Sequence, residues 1–363
     1  MSRPSPKSRP ARLAFFASML LLSPGASQGQ DEQKKLSNKE IYLYQGADRE
    51  QRLVKNAKSE EVLSLYTSLA LKDAVSMTEA FQEKYGIKVN YWRAGAEKVV
   101  QRALLEDKAG RYAVDAFAMD GPKLEILYRE NLLEEFHSPF VKDIPPAALP
   151  AHKYYAPYGF NFFLTAYNTG LVKPADVPKT YEDLLDPKWT GKIGLESGDV
   201  DWFAAVVKGM GEERGLAYFR KLAAMKPQMR TGHTLVAEMV SSGEIALTPA
   251  VYNHMVDRLK NKGAPIEWKA LSPLFGRPSS VGVAKNAPHP HAALLFCDFI
   301  LSTEGQEIIK QSGRAPASTA VENPLKKLDY QPIDPAIVVD EWDKWEKIWS
   351  RLFLGGKTPE KTD

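Results

Sequence analysis

A chain of 363 residues has the length for two domains, and 44% hydrophobic with 26% charged residues is a globular composition with apolar material for two cores. The formal net charge of +3 belongs to the first residues: positions 1–27 hold four of the 48 basic residues and none of the 45 acidic ones, which leaves the remainder near minus one. A nearly neutral body gives no electrostatic reason for nucleic acid or an anionic membrane as partner, and the single cysteine, Cys297, excludes an internal disulfide.

The chain opens on MSRPSPKSRPAR, with Arg3, Lys7, Arg9 and Arg12, followed by the apolar run LAFFASMLLL. This is the layout of a secretory signal peptide over residues 1–27, cut after Ser27 or Gly29. The apolar run is too short to cross a bilayer as a helix; the competing reading is a disordered basic tail before a buried helix. Residues 28–60 form a polar lead-in, with an apolar patch at 41–44 and a helix around 48–57.

The body begins at VLSLY, an apolar run of buried-strand length that ends at Tyr66 and leads through Thr67 and Ser68 into a helix. Leu71, Ala74, Val75, Phe81 and Tyr85 mark that helix by their spacing, and Gly86 stops it. A second strand, IKVNYW, alternates Ile87, Val89 and Tyr91; the helix after it carries Val100, Ala103 and Leu104. A third strand, AVDAFAM, runs into Asp120, Gly121 and Pro122. Alternating strands and helices build an open parallel sheet with covered faces, and ligands of such sheets sit beyond the carboxyl ends of the strands. Two loops meet that condition, one at Thr67 and Ser68 and one at Asp120.

The Pro-rich passage SPFVKDIPPAALPAHKYYAPYG is surface connection, and FNFFLTAYNT is a strand crossing to a second lobe. There TYEDLLDPKW reads as an aromatic-bearing helix, Gly191 turns the chain into the short strand KIGLES, and a helix opens at Asp199 or Asp201, either of which can cap it. An opening loop with unpaired backbone N–H groups suits ligand capture. Two helices follow, the first with Val206, Val207 and Met210 and the second with Leu216, Phe219 and Leu222; RTGHT then precedes the helix LVAEMVSSG, the strand EIALT and a helix near Tyr252. SSVGVA returns to the first lobe as a core strand, AALLFCDFILS is a buried helix, and residues 303–306 fit a capping box that opens the next one. In the last helix Trp342, Trp345, Trp349, Leu352 and Phe353 share one face, read as packing rather than a membrane-surface stripe because acids and prolines surround it.

The sequence holds no CxxC, HExxH, Walker or GxSxG run, so the usual signatures of metal hydrolysis, nucleotide hydrolysis and acyl transfer are absent. Gly209, Gly211 and Gly215 lack the spacing of a dinucleotide fingerprint. His289 and His291 either bind a metal or stand as exposed turn residues; His137 and His152 lie in the Pro-rich connection without an evident partner.

The order of elements, together with LYTSL, AFQEKYGIKV, VDAFAMD, AYNTGLV, TYEDLLDPKWTGKIGL, LVAEMVSSGEIAL and FILSTEGQ, resembles the type 2 periplasmic solute-binding proteins of ABC importers, in the ferric iron and thiamine branch, over about residues 48–330. The resemblance implies a two-lobe α/β fold. Lobe 1 takes 61–157 and 275–312, and lobe 2 takes 158–274 and 313–363 with the C-terminal helices. It further implies a periplasmic monomer without enzymatic activity that closes by hinge motion on a small molecule or ion and delivers it to an ABC permease in the inner membrane.

The ligand-facing set that the resemblance implies is Thr67, Ser68, Asp120, Ser197, Gly198, Trp202, His233, Thr234, Tyr252 and His254. Thr67 and Ser68 either meet an anionic oxygen or cap a helix, Asp120 is either an acidic ligand or a turn aspartate, and His233 is either a cleft histidine or a loop residue. Ferric binders of this family carry adjacent tyrosines where this chain has Tyr252 followed by Asn253. An iron site would be built on Asp120 and Tyr252, with His254 or His233, and an exogenous synergistic anion would complete the coordination of Fe(III); no other cofactor is implied. The alternative ligand is a small organic solute such as thiamine or a phosphonate, stacked on Tyr158, Phe160, Trp202 and Tyr252 with Asp120 answering a cationic group.

Overall fold

The computed structural model describes residues 36–357; the signal peptide read at 1–27 lies outside them. Helices α1 (Asn38–Tyr42) and α2 (Arg49–Glu60) open the chain. Their Ile41, Tyr42, Leu53 and Ala57 are buried in one core with Leu63, Phe81 and Phe296, so this part of the lead-in is built into the first lobe.

Strand β1 (Val62–Thr67), helix α3 (Leu71–Tyr85), strand β2 (Lys88–Arg93), helix α4 (Ala96–Lys108), strand β3 (Ala116–Asp120) and helix α5 (Gly121–Arg129) follow the predicted alternation. The left-handed backbone that ends α3 falls on Gly86, at φ +71, where a side chain would strain it. β1 lies between β2 and β3 and parallel to both, which points the loops after β1 and β3 to the same edge of the sheet.

After β4 (Leu133–Glu134), strand β5 (Ala156–Asn168) runs 13 residues through both lobes. The second lobe adds β6 (Gly194–Glu196), α6 (Val200–Met210), α7 (Glu212–Ala224), β7 (Gln228–Arg230), α8 (His233–Ser242), β8 (Leu247–Tyr252), α9 (Asn253–Lys260) and β9 (Ile266–Lys269). The far end of β5 pairs antiparallel with β8 and β9, and β6 pairs in parallel with β7. The chain returns through β10 (Leu274–Ala284), α10 (Pro290–Leu301), α11 (Thr303–Gln311), β11 (Ala315–Pro316), β12 (Tyr330–Pro332) and α12 (Pro335–Phe353).

β10 is antiparallel to both β3 and β5, so the first-lobe sheet is mixed and only β2, β1 and β3 keep the expected parallel order. It is also the second crossing: Phe275 packs in the second lobe's core and Val281 and Val283 in the first's. Among the described residues no helix is long and apolar enough to cross a membrane.

Three local expectations change. TYEDLLDPKW folds as two 3₁₀ turns, Glu182–Leu185 and Pro187–Trp189, because Pro187 cannot continue a helix and Asp183 draws its carboxylate onto the amides of Lys179 and Thr180. The cap of α11 is Ser302, which accepts from Gly305 N at 3.3 Å, while Gln306 turns inward to donate to Tyr158 O and Ile300 O at 2.9 Å each. The C-terminal passage divides: Ala315, Ala317 and Leu325 pack in the first lobe, and Val338, Trp345 and Trp349 in the second.

Candidate functional site

The carboxyl ends of β1 and β3 face the start of α6 across a cleft of about 250 Å³. Ser68, Arg93, Glu97, Asp120 and Lys123 line it from the first lobe, Gly198, Asp201 and Trp342 from the second, and Arg277 from the crossing strand β10. Asp120 caps α5, accepting from Lys123 N at 3.3 Å. Lys123 pairs with Glu97 at 2.9 Å, and Arg277 donates to Asp201 at 3.2 Å while its guanidinium lies 5.3 Å from the Phe163 ring centre and 5.4 Å from that of Tyr252.

Behind this cleft a second group lies within the second lobe. The parallel pairing of β6 with β7 sets Glu196 beside Arg230, and the chain beyond Arg230 then brings Gly232 and His233 against the loop that leaves β6. Glu196 accepts from Gly198 N at 2.6 Å and Gly232 N at 2.9 Å. Asp199, 1% exposed, has one oxygen 2.9 Å from His233 Nε2 and the other without a hydrogen-bond partner among the described residues. The His233 ring stacks on Tyr252 at 4.4 Å between centres, Tyr252 stacks on His254 at 5.8 Å, and the Tyr252 hydroxyl and His254 Nδ1 are buried and likewise unpartnered.

The charge balance follows from these pairings. Burial pushes the Asp120, Asp199 and Glu196 carboxyls above their ordinary values; nearby cations pull back on each, and Asp199 adds to the rise at Glu196. Burial also works against a charge on His233, but the Asp199 carboxylate overrides it and raises that group. His254 is held well below its ordinary value by burial, with Arg314 adding to the effect. Lys123 and Arg277 are each engaged with a carboxylate, so cations and acids balance in the cleft, while the group behind it gathers the buried carboxylates of Glu196 and Asp199.

Of the residues singled out from sequence, Ser68, Asp120 and Gly198 line the cleft, and His233, Tyr252 and His254 form the stacked group behind it. Thr67 is buried, its hydroxyl donating to Ala118 O at 2.7 Å and accepting from Leu69 N at 3.0 Å, so it neither faces the cleft nor caps α3, whose N-cap is Ala70. Ser197 spends its hydroxyl on Thr231 at 3.0 Å, its amide on Arg230 O at 2.8 Å and its carbonyl on Trp349 Nε1 at 2.7 Å. The loop expected to offer unpaired amides therefore has them taken, that of Gly198 by Glu196. Asp199 makes no side-chain cap to α6 and turns its carboxylate to His233, whereas Asp201 accepts from Trp202 N in the first turn at 2.9 Å with one oxygen and from Arg277 with the other.

Thr234 is exposed in the first turn of α8. Trp202 is fully buried in the second lobe's core, edge-on to Phe219 at 5.5 Å, and Tyr158 and Phe160 are buried in the first lobe's core. The indole that does face the cleft is Trp342, whose ring lies 5.5 Å from Lys123 Nζ. Sequence reasoning also missed Glu196, Lys123 and Arg277, and read Asp201 only as a helix cap. Arg277 did carry a signal, as the one charge inside the strand LFGRPSSVGVA. Of the histidines left open, His289 is held by Asp115 and His291 by Glu60, two separate pairs rather than one metal site, and His152 stands 3.1 Å from Glu125.

A family model described as bacterial extracellular solute-binding protein matches residues 76–332. Iron uptake protein A1 of Synechocystis sp. is 27% identical over 277 residues, covering 70% of this chain and 74% of that protein. The Fe(3+)-binding periplasmic protein of Serratia marcescens is 24% identical over 301 residues, covering 77% and 87%. Among solved structures, iron-bound HitA from Pseudomonas aeruginosa superposes with a TM-score of 0.71 at 23% identity over 80% of this chain and 99% of that one. AfuA from Actinobacillus pleuropneumoniae, with exogenous fructose-6-phosphate bound, gives 0.67 at 23% identity over 80% and 98%. The shared architecture is the two-lobe α/β fold of periplasmic binding proteins.

Proposed function

Because this chain belongs to the bacterial extracellular solute-binding protein family, we propose that it captures ferric iron between its lobes in the periplasm and hands it to the permease of an ABC importer. The observation that carries this reading is the set of buried oxygen donors beside His233 and Tyr252. Asp199 keeps a buried carboxylate oxygen and Tyr252 a buried hydroxyl, both without partners among the described residues, and the Asp120, Asp199 and Glu196 carboxyls are all displaced upward. A small, highly charged cation would offset the cost of burying Asp199 and Glu196 together. Anionic oxygen and phenolate are the hard donors that ferric ion favours. The names of the two relatives above agree with that ligand.

Asn253 follows Tyr252 where an adjacent tyrosine would stand, and its amide donates to Gly313 O at 2.8 Å, so a single phenolate is available at this position. Titrating the mature protein with ferric citrate is expected to produce a tyrosinate-to-iron absorption band and a rise in melting temperature. Tyr252→Phe should abolish the band. A protein showing neither band nor thermal shift would end the iron reading.

The cleft itself favours a second reading. Ser68, Arg93, Lys123, Arg277 and Trp342 around about 250 Å³ suit a small organic anion such as a phosphonate, held by hydrogen bonds and one aromatic face. A thermal shift with phosphonates that survives Tyr252→Phe would favour it over iron.

A further inference from the structure

We propose that Glu196, Asp199 and His233, three residues of the second lobe, are themselves ligands of the metal, which is a hard cation of the ferric type; this rests on the iron reading above. Each offers one donor atom, and the three atoms all lie within 4.8 Å of one another, a spacing that lets them converge on a single ion.

The cluster differs from a solvated acidic surface in three ways. Asp199 is 1% exposed and Glu196 is 2% exposed, so neither charge is stabilised by bulk water. The second oxygen of Asp199 is buried and has no hydrogen-bond partner among the described residues, a costly condition for a carboxylate. His233 Nε2 approaches the first oxygen to 2.9 Å without the alignment of a hydrogen bond. At that distance the two form an ion pair, and both atoms are close enough to bind one ion.

The surroundings hold the donors in place. Two amides, those of Gly198 and Gly232, fix Glu196, and each of its oxygens keeps a second lone pair for coordination. The His233 ring is steadied by its stack on Tyr252, whose own unpartnered hydroxyl belongs to the same group. The three ligands come from the last residue of β6, the loop after it and the first residue of α8, elements joined by the pairing of β6 with β7.

The test loads the full mature chain with Fe(III) supplied as its nitrilotriacetate complex and measures bound iron by equilibrium dialysis. The wild type is expected to take one iron per chain. Asp199→Asn and His233→Ala should each weaken binding by at least about tenfold, with circular dichroism and melting temperature showing that the fold persists. Glu196→Gln, which keeps the side-chain shape, serves if either variant fails to fold. Pulsed EPR of the loaded wild type should show coupling to an imidazole nitrogen, lost in His233→Ala. Wild-type affinity in the variants together with no nitrogen coupling overturns this ligand set while leaving iron capture standing; a wild type that takes no iron overturns both.

Discussion

Glu125 offers a direct measurement of how one buried carboxylate ties the first lobe together. Its side chain is 4% exposed and sits on α5, with Arg129 Nε at 2.8 Å, the Tyr155 hydroxyl at 2.9 Å and His152 Nε2 at 3.1 Å. Burial works against its charge, but the hydrogen bonds from His152, Arg129 and Tyr155 outweigh it and hold the carboxyl at about 2, against an ordinary 4.5. A folded value below the unfolded one means that stability is present above the unfolded value and lost as pH falls toward the folded one. At about 1.4 kcal/mol per unit, the ionised carboxylate contributes roughly 3 kcal/mol at pH 7 and less than half of that at pH 3. Glu125→Gln should therefore lower the unfolding free energy by up to about 3 kcal/mol at neutral pH. Urea denaturation of both proteins at pH 7 and pH 3 reads the difference, which should shrink on acidification. An equal gap at the two pH values would refute the charge-based account, and no gap at pH 7 would refute the role of the carboxylate altogether.

Trp349→Phe removes the indole N–H that donates to Ser197 O at 2.7 Å in a fully buried position. It should cost about 1–3 kcal/mol by leaving that carbonyl unpaired, seen as a lower urea midpoint, and an unchanged midpoint would sink the assignment. In Gly215→Ala a Cβ would stand 2.5 Å from Val207 Cα and 2.7 Å from Val207 O. Helix propensity favours alanine by about 1 kcal/mol, but a backbone neighbour on α6 cannot swing aside, so overpacking of about 1–3 kcal/mol should win and the melting temperature should fall; a rise would show that the two helices part freely.

Much of the architecture is legible in local pattern. Spacing along AFQEKY and a single Gly86 mark the helix and its end, and the apolar runs VLSLY and VDAFAM mark buried strands, because period and burial are properties of contiguous residues. The tryptophan face of α12 is likewise a matter of period: Trp345 and Trp349 are buried in the second lobe. The parallel order failed at β10, since a strand entering from another lobe carries no mark of its direction. Trp202 shows the limit for single side chains: its position beside the ligand loop is local, whereas its burial against Phe219 depends on how α6 meets α7.

The sequence by itself determined two α/β lobes, the strands that cross between them and the loops at their edges, since hydrophobic period and turn residues act over a few neighbours. Only the tertiary structure decided what those loops hold. Asp199 and Asp201 read locally as helix caps and Ser197 and Gly198 as open amides. The pairing of β6 with β7 closes Glu196 onto Gly198 and Gly232 and sets Asp199 against His233, and β10 carries Arg277 to Asp201. Apart from Glu196 with Gly198, such meetings join residues tens of positions apart, and buried polar groups take whichever partner the packed chain presents.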